Sequence, residues 1–299
     1  MSRTVAASSE TPPHSLLREP GARYAALLQA ARYVASEIVK QGDIGLSGSP
    51  AYIYRESRVL VDRVVDDGAT SLTAAGAAFE ALRLLLKKWP DIAAGRVQGE
   101  TIFADESGLW KRMMTEWPLR EFAQLAAWFM ISHDLLGGHV LELGAGVGGC
   151  SALVADHVGE NYVRTDIQPF LLIRQKIPGT VERYDFNGRG KWRNLDTIFA
   201  ANAVHCAADK SLTLQYLHEM LRPGGTLVLA EGSPCTDGEG TPWAFNALFG
   251  LFRGWWDVGG YMTRADWMDA MADAGFKDLG NLQRFSGSHD LGGILWGVK

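Results

Sequence analysis

Residues 139–150 read His-Val-Leu-Glu-Leu-Gly-Ala-Gly-Val-Gly-Gly-Cys, an apolar run that breaks abruptly into glycine. Val140, Leu141 and Leu143 have the character of a short buried strand. Gly144, Gly146, Gly148 and Gly149 follow at once, allowing a tight turn and close approach of a ligand to the backbone. Gly144, Gly146 and Gly149 match the G-x-G-x-x-G spacing, which has meaning only when a strand precedes it and a helix follows. One acidic residue, Glu142, lies inside the strand, two positions before the first glycine.

On the N-terminal side of this stretch the apolar spacing is helical. Leu16, Leu17, Tyr24, Leu27, Leu28, Ala31, Val34 and Ile38 predict a helix over 15–40. Glycine-rich residues 42–50 interrupt it, and further helices are predicted at 55–66, 71–89 and 118–135. The third is expected to stop at Trp89-Pro90, because a residue before proline is pushed out of the helical region. Residues 15–135 are therefore read as an all-helical lid or substrate domain, and the Ser-, Thr- and Pro-rich residues 1–14 as a disordered tail.

On the C-terminal side strands alternate with helices. Strands are predicted at 139–143, 161–165, 181–185, 195–201 and 225–231, with helices at 148–157, 167–176 and 208–221. The last helix meets the breaker Arg222-Pro223-Gly224-Gly225. Thr263 and Asp266 read as a capping box for a helix closing at Gly275. Strands at 277–285 and 292–298 complete a hairpin-like edge. Residues 136–299 thus predict an α/β fold, a Rossmann-like doubly wound and mostly parallel sheet, beside the N-terminal helical lid.

Composition narrows the partners. The 299 residues carry a formal net charge of -5, which offers no strong basic field for a phosphate backbone and argues against nucleic acid. No run approaches the roughly 18 apolar residues of a membrane span, so no membrane partner is expected. Cys150, Cys206 and Cys235 lack metal-ligand spacing, so no metal is expected, and a sparse, odd set suits a reducing cytoplasm. Polar residues Met1–His14 do not form a secretory leader, which also points to the cytoplasm. Ten tryptophans suit a pocket with aromatic walls and a small-molecule substrate. Nothing in the sequence sets the oligomeric state.

Three carboxylates give the glycine turn its meaning. Glu142 stands where it can meet a cationic amine, which a pyrophosphate would not use. Asp166, followed by Ile167, ends the second strand, where a carboxylate can accept both ribose hydroxyl protons. Asp185-Phe186 ends the third strand and offers an acceptor for an exocyclic amine beside an aromatic face. Together they describe a ligand with an amino-acid end, a ribose and an adenine. Structural roles, with Glu142 fixing the turn and Asp166 and Asp185 solvated in loops, are the alternative.

This set resembles the class I S-adenosylmethionine-dependent methyltransferases. The resemblance implies that Glu142, Gly144 and Gly146 line the methionine moiety, that Asp166 with Ile167 binds the ribose, that Asp185 and Phe186 flank the adenine, and that Asn202 lines the floor. Further likeness lies in Asn202-x-x-His205, in Glu231 and in Phe249-Gly250-x-x-x-Gly254-Trp255-Trp256, which are similar to the C-methyltransferase domains of polyketide synthases. That likeness covers roughly residues 90–299 and implies a His-Glu catalytic pair. No ketosynthase, acyltransferase or carrier sequence accompanies it within these residues.

The chemistry also follows from the residues. A carbon acceptor must lose a proton to become a nucleophile, and histidine is the usual base near neutral pH. His205 follows the fourth strand and Glu231 ends the fifth, so neighbouring strands would let the two side chains meet. His205 is therefore the candidate base and Glu231 its partner, while Tyr52, Trp255 and Trp256, with Tyr54 and Tyr261, are candidate substrate walls. The expected reaction is methyl transfer from S-adenosylmethionine, leaving S-adenosylhomocysteine, to an enolate- or enamine-type carbon of a small secondary metabolite. An indole or other electron-rich ring carbon, or O- or N-methylation, are alternatives. An NAD(P)-dependent oxidoreductase and a non-methylating cofactor-binding protein are the readings from other classes.

Overall fold

The computed structural model describes residues 21–68, 72–98, 108–173, 175–234, 243–251, 260–286 and 289–299. The apolar periodicity of the N-terminal region becomes α1 (Gly21–Val39), α2 (Gly48–Arg63), α3 (Ala77–Ala93), the short α4 (Leu109–Thr115) and α5 (Arg120–Ser132). Two boundaries differ from the sequence expectation. Helix α2 begins at Gly48, not near 55, because Pro50 falls in its first turn, where a missing N–H leaves no bond unmade. Helix α3 passes through Pro90 to Ala93 where a stop at Trp89 was expected. Trp89 and Ile92 are 1% and 2% exposed, and their packing outweighs the local cost of the proline. Helix α4 was not anticipated; it is only two turns long. The tail at 1–14 and the first residues of the 15–40 helix lie outside the described residues.

Next come β1 (Val140–Leu143), α6 (Gly149–Val154), β2 (Tyr162–Asp166), α7 (Phe170–Ile173), β3 (Thr180–Arg183), β4 (Leu195–Ala201), a 3-10 turn over Val204–Cys206, α8 (Lys210–Met220) and β5 (Leu221–Gly232). Helix α9 (Asn246–Phe249), α10 (Arg264–Asp273), β6 (Lys277–Ser286) and β7 (His289–Val298) complete the series. Helix α7 is a single turn, shorter than the 167–176 expected, since Pro169 and Pro178 bracket that segment. The capping box forms as read: Thr263 accepts from Asp266 N–H while the Asp266 carboxylate accepts from the Thr263 backbone.

Among the described residues the strands form one sheet, ordered β3-β2-β1-β4-β5-β7-β6. Strands β3 to β5 pair in parallel, β7 runs antiparallel to β5, and β6 is antiparallel to β7. From β1 the chain winds outward through β2 and then returns to β4 on the other side. The carboxyl ends of β1 and β4 therefore flank the topological switch point, where open α/β sheets bind ligands.

Alternation along β5 sends side chains to two cores. Val228 and Ala230 join α1, α3 and α5 in one buried cluster that also holds Phe199 and Ile294. Leu227 and Leu229 face the other way, onto Leu214 and Leu217 of α8 and Trp267 and Met271 of α10. The N-terminal helices thus share a core with the sheet they cover. No helix among the described residues is long and apolar enough to cross a membrane.

In the β5–β7 pairing Gly232 faces Gly292. Gly292 has φ +109°, and a methyl group there would overlap the Glu231 carbonyl oxygen. Gly292→Ala is therefore expected to lower stability by about 1–3 kcal/mol in urea denaturation. Gly137→Ala, where an added Cβ meets nothing within 4 Å, should stay within about 0.5 kcal/mol of the parent.

Candidate active site

The turn after β1 has Gly144, Gly146 and Gly148 at φ +58°, +53° and +80°, a backbone that other residues adopt only under strain. At Gly144 the constraint is also one of space. A Cβ there would lie 2.6 Å from Ala203 Cβ and 3.9 Å from the Phe186 ring. The loops after β1, β3 and β4 therefore converge on this glycine.

Asp166 braces the turn. Its Oδ2 accepts from Gly146 N–H at 2.9 Å and its Oδ1 from Gln168 N–H at 2.8 Å. Burial raises its pKa, and those two backbone bonds oppose the rise. Ile167 follows with its side chain exposed, and Phe186 is half-buried beside Gly144. Asp185 is exposed, its Oδ1 accepting from the backbone and side-chain nitrogens of Asn187 at 3.0 and 2.8 Å. A glycine turn, a strand-end carboxylate, an exposed aliphatic side chain and an aromatic edge thus stand together. This donor and acceptor set fits the ribose and adenine of an adenosyl ligand.

Glu142 is more deeply committed than its sequence position implied. It is 2% exposed, and its Oε2 accepts from Ser151 Oγ at 2.6 Å and from the Tyr162 hydroxyl. Burial raises its pKa, which the two hydroxyl donors partly offset. The carboxylate therefore ties β1 to β2 and α6. Neither partner was foreseen, although Tyr162 on a strand beside the Glu142 strand is the signal that could have revealed one.

His205 and Glu231 meet as the strand-end argument required, because β4 and β5 are neighbours with Ala201 opposite Ala230. His205 Nδ1 lies 2.7 Å from Glu231 Oε2. Glu231 Oε1 accepts from the backbone N–H groups of Ala203 and Val204 at 3.1 and 2.7 Å. His205 and Glu231 are 2% and 1% exposed. Burial alone would lower the imidazole pKa, but the Cys206 sulfur and the Glu231 carboxylate beside it outweigh burial and push it up to about 10. Glu231 thus fixes the orientation of the imidazole through Nδ1.

An aromatic shell closes over the pair. The Tyr261 ring lies 4.6 Å from the His205 ring, and Trp243 lies 5.2 Å from Tyr261. The Tyr261 hydroxyl donates to Asn202 Oδ1 at 3.0 Å, and Asn202 itself sits directly after β4 at φ +55°. Tyr52 is buried on α2, packed where a Cβ on Gly250 would lie 2.5 Å from its ring and with the Arg55 guanidinium 4.7 Å from its centroid. Trp255 and Trp256 lie outside the described residues.

The methyltransferase-domain family profile matches residues 141–227. The chain thus carries a match to a methyltransferase domain over these residues. The highly reducing polyketide synthase easB of Emericella nidulans is 28% identical over 231 residues, 67% of this chain and 9% of the synthase. The chain thus spans under a tenth of that relative. The citrinin polyketide synthase CMeT domain superposes with TM-score 0.74 at 15% identity, covering 92% of this chain and 88% of that domain. The trans-methyltransferase CalH, solved with S-adenosylhomocysteine, superposes at 0.68 and 18% identity over 97% and 98% of the two chains. These likenesses extend over the N-terminal helices as well as the methyltransferase core.

The Glu142 cluster gives a test. Tyr162→Phe removes one donor from a buried carboxylate and should lower stability by about 1–3 kcal/mol at pH 7. Because the variant's Glu142 pKa rises further above its unfolded value, the deficit should shrink as pH falls and the carboxyl protonates. Urea melts of both proteins from neutral to acidic pH check this.

Proposed function

We propose that this chain is a C-methyltransferase acting on a small secondary metabolite, with His205 as general base and Glu231 as its partner. The observation that carries this reading is the buried pair itself, a histidine bonded through Nδ1 to a carboxylate that two backbone amides hold in place. An amine acceptor already has a lone pair and would not need such a base. A carbon beside a carbonyl does. The polyketide synthase similarity supports an acyl acceptor of that type.

When bound, S-adenosylmethionine supplies an electrophilic methyl group. Gly144 and Gly146 would admit its methionine end close to the backbone, Asp166 with Ile167 would take the ribose, and Asp185 with Phe186 the adenine. Glu142 shapes this wall from within. His205 Nε2 would remove the proton from the acceptor carbon, and Glu231 would steady the imidazolium through Nδ1, the role of the acid in hydrolytic triads. The helices α1 to α5 would act as the lid, with Tyr52 behind the substrate wall, holding the acceptor in place and excluding water. The raised imidazole pKa makes His205 a stronger base than an ordinary histidine, and only its neutral form can accept the proton.

His205→Ala should reduce labelled-methyl transfer to a β-ketoacyl thioester by at least about 10²-fold. S-adenosylhomocysteine should bind it as it binds the parent, as calorimetry would show. Undiminished transfer in the variant, or turnover of phenols and amines with no carbon acceptor methylated, would sink the proposal.

The pH profile is a second check. The acid limb of kcat/KM should lie above 6.5, the ordinary histidine value, with activity rising as pH rises. Glu231→Gln keeps the shape of the side chain but removes its charge. It should move that limb to lower pH and lower the plateau.

A further inference from the structure

We propose that Asn202 is a catalytic residue of the same reaction, its carboxamide N–H donating to the acceptor's carbonyl oxygen as that oxygen takes on enolate charge. Tyr261 is then the positioning residue that sets which way the amide faces. The inference rests on the carbon-acid reading above and gives Asn202 a role beyond lining the cofactor floor.

The geometry starts with the backbone. Asn202 is one of the few non-glycine residues here with positive φ, +55°, a conformation that asparagine tolerates better than most. Its N–H donates to Ala230 O at 2.7 Å, which fixes it between the ends of β4 and β5. Strain of this kind at a strand end collects where a side chain must be aimed.

The side chain is aimed by Tyr261. The phenol donates to Oδ1 at 3.0 Å, and the planar amide therefore turns Nδ2 away from the ring. Among the described residues Nδ2 has no protein partner, and the residue is half-buried, so a donor is left for a bound molecule. The same Tyr261 ring lies 4.6 Å from the His205 ring, so base and donor share one anchor. Tyr261 has little freedom to move. A Cβ on Gly232 would come within 2.6 Å of its Cζ, and Trp243 and Phe249 lie 5.2 and 6.3 Å from it. Burial, with Glu231 nearby, also raises its pKa and keeps it a donor.

The step balances. The acceptor C–H bond breaks, its proton goes to His205 Nε2, and the electron pair spreads onto the carbonyl oxygen facing Asn202 Nδ2. The carbon then forms a bond to the methyl group as the methyl–sulfur bond breaks and sulfur keeps its electrons.

Deuterium exchange separates the roles. A β-ketoacyl thioester is incubated in heavy water with enzyme and S-adenosylhomocysteine, and exchange at the α-carbon is followed by mass spectrometry above the buffer rate. Asn202→Asp, close in shape but lacking the N–H, should slow exchange and lower kcat for methyl transfer by about 10²-fold. Its affinity for S-adenosylhomocysteine should remain within about twofold of the parent. Tyr261→Phe should give a smaller loss of kcat with the same acid limb. Parental exchange in Asn202→Asp, or a loss of S-adenosylhomocysteine affinity large enough to explain the rate, overturns the inference. If His205→Ala still catalyses exchange, the base reading fails; if it does not and Asn202→Asp does, only the inference fails.

Discussion

The Glu231 carboxylate is the fixed point of this site. A buried charge is costly unless it is both paired and hydrogen-bonded. Glu231 meets that demand with two backbone N–H groups on one oxygen and the His205 imidazole on the other. Those three donors all come from the segment just after β4. The ionic requirement of one side chain therefore fixes the path of Ala203 and Val204, the tilt of the His205 ring and the junction of β4 with β5. Gly292 then follows from the same point, because a Cβ there would overlap the Glu231 carbonyl oxygen, while at Gly232 it is the Tyr261 ring that leaves no room.

Two other buried or half-buried carboxylates show how partners decide what an acid does. Glu142 is surrounded by hydroxyls, Ser151 and Tyr162, so it joins elements and has no base to steer. Asp166 takes backbone amides from Gly146 and Gln168, so it holds the glycine turn in shape while lying at the ligand edge. Glu231 alone of the three is bonded to an imidazole. The same residue type thus serves as a tie, a brace and a partner to an imidazole, according to the donors that the topology brings to it.

Much of this was legible in the sequence because it depends on local pattern. The apolar run at 140–143, the glycines after it and the alternation of strands and helices are periodic signals. The meeting of His205 and Glu231 followed from one topological assumption, that β4 and β5 are neighbours. What escaped is non-local. Whether Pro90 ends α3 is decided by the burial of Trp89 and Ile92, which no short window records. The partners of Glu142 lie 9 and 20 residues away and meet it only after β2 and α6 have packed. Tyr52 has the composition of a pocket wall, yet its surroundings are set by Gly250, nearly 200 residues on.

The burial of the pair bears on why such a site would favour carbon. Taking a proton onto an isolated buried imidazole would create an unpaired cation in a poorly solvating medium. At His205 the new charge arises 2.7 Å from a carboxylate already held by two amides, so the proton lands in a prepared field. The enolate of the proposed reaction would meet a neutral donor at Asn202 and no opposite protein charge, and its negative charge would disappear together with the cofactor's positive charge when the methyl group is transferred. A dry site favours a step that destroys charge over one that leaves it exposed. The aromatic shell of Tyr261, Trp243 and Phe249 and the carboxylate-bound imidazole are therefore two halves of one arrangement. In the proposed reaction the pair would make removal of the proton tolerable without water, and the shell would make absence of water useful to the transfer that follows.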